Sequence, residues 1–154
     1  MRYVSAILSA LLLLGAQSAS AQEREWTLDA AGDDAFLVFG VPQSDDVGLS
    51  FWCKISSGEM QIFAPVPHKS GLKDGEKTTV VLEINGSKFA VDGRANFNYE
   101  ASQSNVEVTL KTSDPLLPTL SNADRVSIEV ANHRTTFPLL NADFAGLLKL
   151  CGSK

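Results

Sequence analysis

Two histidines, His68 and His133, are the side chains most suited to acid–base chemistry in this sequence. Either imidazole can act as a general base toward a serine while an acidic residue orients it, and Ser44, Asp45 and Asp46 supply the required residue types. Serine and aspartate are common in loops, however, and the G-x-S-x-G nucleophile motif is missing. We therefore expect both histidines to be exposed turn residues, with a hydrolase that uses a loop histidine as the alternative.

Metal and cofactor sites have little support in the spacing of possible ligands. The cysteines lack a C-x-x-C arrangement and the histidines lack H-x-x-x-H, which are spacings typical of zinc sites. Two Asp-Asp pairs, 33–34 and 45–46, flank one apolar segment at its opposite ends, so we expect them to cap turns, with calcium binding by one pair as the alternative. The sequence predicts no metal, no cofactor and a protein that is not an enzyme.

An aromatic pair is the remaining candidate site. Residues 47–55 alternate between apolar and other side chains, which places Cys53 and Trp52 on opposite faces of a strand. If the next strand pairs Ile62 with Cys53, Trp52 lies directly opposite Phe63. The pair is either an exposed platform for an unknown protein, peptide or glycan partner, or part of a second buried layer under a helix or another sheet. Burial is the preferred interpretation because large apolar patches are uncommon on monomers.

The chain contains two cysteines, Cys53 and Cys151, and an even number in an exported protein favours a disulfide over two buried thiols. The bond would close a loop of nearly a hundred residues, worth roughly 4–5 kcal/mol in the chain-entropy model. An amphipathic helix is predicted over 141–151, with Asn141 as its cap. Its apolar face consists of Phe144, Leu147, Leu148 and Cys151. The disulfide would therefore attach this helix to the middle of a β-sheet.

The first 21 residues have the features of a secretory signal peptide. Arg2 gives a positive start, residues 4–15 form an apolar core too short to span a bilayer, and the segment 19–21 is an Ala-Ser-Ala cleavage motif. We expect cleavage after Ala21, a single β-rich domain over 22–154, and a location in the periplasm or outside the cell.

The charge of the chain limits its partners. The net charge is −5, and loss of the signal segment with Arg2 would make it −6. Nucleic acids and anionic lipids require clustered Lys and Arg, so neither is an expected partner. No later apolar run is long enough to be a membrane anchor.

Alternating apolar residues predict about nine short strands. The strongest local signal is the Asn-Gly pair at 85–86, which predicts a tight hairpin that pairs Leu82 with Phe89 and Glu83 with Lys88. We predict another turn at Asp92-Gly93 and a short helix near 114–121. This pattern is typical of an antiparallel β-sandwich or a partly open barrel.

Together these features predict an exported, periplasmic, non-enzymatic β-domain that acts as a binding, inhibitor or envelope-accessory module. Besides the hydrolase, one structural alternative is a protein that forms homo-oligomers through an edge strand near Pro138, since proline is tolerated at sheet edges.

Overall fold

The computed structural model describes residues 23–98 and 103–152, which form one nine-stranded antiparallel sheet curled into a half-barrel. The strands are β1 (Glu25–Ala31), β2 (Asp34–Gly40), β3 (Val47–Lys54), β4 (Glu59–Pro65), β5 (Lys77–Ile84), β6 (Ser87–Asn98), β7 (Gln103–Lys111), β8 (Arg125–Val130) and β9 (His133–Pro138). The helices are α1 (Leu116–Leu120) and α2 (Phe144–Gly152), with a 3-10 turn at His68–Ser70. The partly open barrel is thus confirmed, and the described ranges contain one sheet where a sandwich needs two.

The predicted signal peptide, residues 1–21, lies outside the described residues. Neither α1 nor α2 is long and apolar enough to cross a bilayer, and the same holds for every helix within 23–98 and 103–152.

The strand order is β1-β2-β3-β4-β7-β6-β5-β8-β9, so β4 pairs with β7 and not with the next strand in the chain. The predicted turn at Asp92-Gly93 is wrong, because β6 runs through these residues. A Cβ atom at Gly93 would lie 2.6 Å from Val106 and 2.7 Å from Val80. The missing side chain therefore allows the neighbouring strands to close in at this point of a continuous strand.

The core lies on the concave side of the sheet, where the alternation along each strand directs its apolar side chains. Both helices contribute their buried residues to the same core. The largest fully buried side chains are Phe51, Phe144, Leu37, Leu49, Met60, Ile62, Leu82, Ile84, Leu116, Leu117, Leu120 and Leu147.

The Asn-Gly hairpin between β5 and β6 is confirmed, including both predicted residue pairs. Asn85 and Gly86 have φ angles of 50° and 80°, the left-handed conformation that a two-residue turn of this type requires.

On the outer face, Arg134 makes two hydrogen-bonded contacts of 3.0 Å to the carboxylate of Glu83. The hydrogen bond from Arg134 lowers the pKa of Glu83. The ionised carboxylate therefore stabilises the fold at pH values above the usual pKa of a glutamate, and this contribution is lost as the pH falls and Glu83 becomes protonated.

The Cys53–Cys151 disulfide is confirmed, with a sequence separation of 98 and a distance of 5.8 Å between the two Cα atoms. The bond fixes α2 against the concave face of β3. The predicted cap is wrong, since Asn141 has a φ of 68° and lies outside the helix. Asp143 takes that role, because its Oδ1 accepts a hydrogen bond from the backbone N–H of Gly146 at 2.8 Å.

The two outermost strands of the curled sheet approach each other. The indole Nε1–H of Trp26 in β1 donates a hydrogen bond of 2.7 Å to the carbonyl of Pro138 at the end of β9. The Trp26 ring also lies against Phe39, Phe51 and Phe144. This residue therefore ties both ends of the sheet to the core around α2.

Candidate functional site

The predicted pairing of Trp52 with Phe63 is wrong by two residues. Trp52 lies opposite Gln61, and Phe63 lies opposite Ser50. The connection between β3 and β4 spans residues 55–58, so the turn is centred one residue earlier in the chain than the pairing of Cys53 with Ile62 requires. Trp52 and Phe63 still share the outer face of the sheet, where they are diagonal neighbours on adjacent strands.

A third aromatic residue joins them, because Phe36 in β2 pairs directly with Trp52. We call Phe36, Trp52 and Phe63 the aromatic patch. All three are half-buried. Cys53, the neighbour of Trp52, points to the concave side, and α2 is bonded to it there. The described elements therefore leave the aromatic patch on the outer surface, and the second buried layer that the sequence favoured is not formed by either helix.

A polar concavity adjoins the aromatic patch on the same face. It has a volume of about 590 Å³ and lies across β5, β6 and β7 around Gly93. We call it the charged trough. Its outward-facing side chains are Lys77, Thr79, Asp92, Arg94, Glu107 and Thr109. The patch and the trough are continuous through the pairs Phe63 with Glu107 and Gln61 with Thr109.

The trough is held in place by the segment that precedes β5. Arg94 donates a hydrogen bond from Nη1 to the carbonyl of Gly75 at 3.1 Å. Two backbone hydrogen bonds of 2.8 Å join Gly75 and Glu76 to Ala95. Asp74 adds a fourth contact, since its Oδ1 accepts a hydrogen bond from the backbone N–H of Phe97 at 3.0 Å. These contacts join the segment before β5 to β6 beside the trough.

Two positive and two negative side chains line the trough, so its charges balance. Carboxylates accept hydrogen bonds, guanidinium and ammonium groups donate them, and the hydroxyls of Thr79 and Thr109 do both. Combined with aromatic rings on the same face, this set can hold a ligand that is polar on its edges and apolar on its flat sides.

His68 is exposed, as expected, and the structure also places it next to a serine outside the predicted set of partners. Its Nδ1 lies 2.8 Å from the Oγ of buried Ser104, and its ring stands edge-on to Phe97 at 6.4 Å. His68 and Ser104 border a pocket of about 230 Å³. The two residues come from segments far apart in sequence, and no motif connects them.

Two of the residues predicted as partners of a histidine, Ser44 and Asp46, have structural roles. Ser44 donates to the carbonyl of Val41 and accepts from the backbone of Asp46, which fixes the turn before β3. Asp46 also forms an ion pair with Arg24. His133 begins β9 next to a tight turn and is half-buried. Among the residues that the structure describes, neither Ser44 nor Asp46 forms a hydrogen bond with either histidine.

The two Asp-Asp pairs flank β2 at its opposite ends, as expected. Asp34 lies opposite Lys54, and Asp46 is paired with Arg24. Within residues 23–98 and 103–152, no group of three or more His, Cys, Asp or Glu side chains is arranged to hold a metal ion.

Comparison with protein-family models gives no match, and comparison with curated protein sequences gives none either. Among solved structures, the chain is similar to the crystal structure of invasion associated protein B from Bartonella henselae. The TM-score is 0.42 with 12% identity, over 80% of this chain and 99% of that chain. A similarity of this size transfers no functional property to the present chain.

Proposed function

We propose that this chain is an exported, periplasmic β-domain that works as a binding module through its outer face and performs no reaction of its own. The observation that carries the proposal is the aromatic patch, where Phe36, Trp52 and Phe63 remain half-buried on the side of the sheet away from both helices. Export is supported by the disulfide, because such bonds persist mainly in oxidising compartments.

The substitution Trp52→Ala tests the proposal. Part of the Trp52 ring is already in contact with water, so its removal should lower the free energy of unfolding by about 1 kcal/mol while abolishing capture of a partner from envelope extract. The measurements are a denaturation curve and an affinity capture with the purified protein as bait.

Val81→Ala is the matched control. Val81 is half-buried on the outer face of β5, outside the aromatic patch, and it should retain capture. A loss of 3 kcal/mol or more in Trp52→Ala would instead assign the ring a structural role, since that is the range for large side chains removed from a core. Equal capture by both variants and the unaltered protein would remove the patch as the binding surface.

A hydrolase that uses His68 is the second candidate, favoured by the 2.8 Å contact between Ser104 Oγ and His68 Nδ1. In that reaction His68 would accept the hydroxyl proton as Ser104 attacks a carbonyl carbon, and would return it to the leaving group. We expect a fluorophosphonate probe to leave Ser104 unlabelled, because this serine is only 6% exposed and its bond to His68 holds the loop. Labelling that disappears in both Ser104→Ala and His68→Asn would replace the binding proposal with hydrolysis.

A further inference from the structure

We propose that the aromatic patch and the charged trough together form an extended site for a neutral oligosaccharide. The inference rests on the proposed binding function and names the ligand class for the same face. It extends the site from the three aromatic residues to six polar side chains on β5, β6 and β7.

Continuity of the sheet defines the length of the site. One row of outward residues runs from Val38 through Ser50, Phe63, Glu107 and Arg94 to Lys77. This row crosses five strand-to-strand intervals, which amounts to about 24 Å at the usual strand spacing. A site of this length fits a chain of several sugar units better than a single sugar.

The position of the site in the sheet argues against an extended peptide. Peptides that bind sheets add a strand at a free edge and form main-chain hydrogen bonds there. The patch and the trough lie on β2 to β7, which are interior strands of the sheet, although residues 77–79 of β5 extend beyond the pairing with β8. The main chain under the aromatic patch is paired with both neighbouring strands, so a ligand stacked there must be held by side chains.

The charges of the trough argue for a neutral ligand. Lys77 and Arg94 are balanced by Asp92 and Glu107, and the whole chain carries a net charge of −5. An anionic polymer would meet two carboxylates in the trough and a repulsive overall field. Sugar hydroxyls both donate and accept hydrogen bonds, so each of the four charged groups and both threonines can serve them.

The aromatic patch supplies the other half of the recognition. The flat, C–H-bearing face of a sugar ring is apolar, and half-exposed aromatic rings provide a matching surface at low conformational cost. Trp52 lies between Phe36 and Gln61 in adjacent strands, so a ring stacked on it has polar neighbours at its edge. The same chain can then continue over Phe63 into the trough.

Calorimetric titration of the purified protein tests the proposal with chitohexaose and maltohexaose as neutral probes and hexagalacturonate as an anionic probe. We expect saturable binding of at least one neutral probe, weaker binding of its disaccharide, and no binding of hexagalacturonate. Trp52→Ala should weaken binding about tenfold through the lost stacking contact. Asp92→Asn should weaken it about threefold to tenfold, and Val81→Ala should leave it unchanged.

Absence of binding by both neutral probes would overturn the proposal, as would equal binding of hexagalacturonate or equal losses in Trp52→Ala and Val81→Ala. The proposal of a binding function is tested separately, by capture from envelope extract. If Trp52 is needed for capture from envelope extract but neither neutral probe binds, the face recognises another partner and only the oligosaccharide is excluded. If capture and probe binding are both missing, the two proposals fall together.

Discussion

Replacing Cys53 and Cys151 together by alanine should lower the free energy of unfolding by about 2–5 kcal/mol. The bond spans 98 residues, so its removal restores a large amount of conformational freedom to the unfolded chain. Both side chains are at most 1% exposed, and the smaller alanines also leave space in the core. Chemical denaturation of the double variant, compared with the reduced unaltered protein, separates the lost bond from the lost volume.

The loosening should begin in α2. A helix of nine residues is not stable alone in water and depends on its attachment to the sheet. Hydrogen exchange after reduction should therefore rise first in residues 144–152, while the β5–β6 hairpin serves as the internal reference. Oxidised and reduced proteins that unfold at the same denaturant concentration would contradict this role of the disulfide.

The correctly predicted parts of the fold depend on the conformational preferences of a few neighbouring residues, or on there being one possible pair of partners. The hairpin at Asn85-Gly86 follows from the positive φ angles that those two residues accept readily. The disulfide follows from there being one possible cysteine pair. Strand alternation predicts that Trp52 and Cys53 lie on opposite faces, and the structure confirms this, whereas the predicted register between β3 and β4 is wrong.

The register error shows where pattern alone is insufficient. Shifting β4 by two residues keeps the same side chains on the same faces, so the apolar alternation cannot distinguish the two pairings. The deciding feature is the β3–β4 connection, in which Ser56 and Gly58 both have positive φ angles. A serine gives no strong signal for that conformation, and the predicted turn is therefore one residue too far along the chain.

The charged trough lies on three consecutive strands and was missed because the predicted turn at Asp92-Gly93 ended β6 before Arg94 could pair with Lys77. Arg94 lies beside Glu107 because β6 pairs with β7, and Phe63 lies beside Glu107 because β4 pairs with β7 and with neither β5 nor β6. Such non-local pairing is decided by the packing of the whole sheet. The contact between His68 and Ser104 has the same origin. Local motifs therefore predicted the scaffold, whereas the candidate sites emerged from topology.

Phe144→Ala should be among the most destabilising single substitutions in the protein, with a loss of about 3–5 kcal/mol. The Phe144 side chain is 2% exposed and stands edge-on to Phe51 with 4.8 Å between ring centroids. It also contacts Trp26, the residue that joins β1 to β9. Truncation thus leaves a cavity where the helix and both ends of the sheet meet. Denaturation curves for the variant provide the measurement.

Ala145→Gly is the control on the same helix, because Ala145 is exposed and its change affects only the backbone, at about 1 kcal/mol. If Ala145→Gly lowered the free energy of unfolding as much as Phe144→Ala, the stability would depend on helix formation and not on the packing of the Phe144 ring. The sharper comparison repeats Phe144→Ala in the reduced protein. The ring and the disulfide hold α2 as one docked unit, so the substitution should cost less once the bond is broken, with a coupling of about 0.5–3 kcal/mol. An equal cost in both states would mean that the helix stays docked without its bond, and that the disulfide acts on the unfolded chain alone.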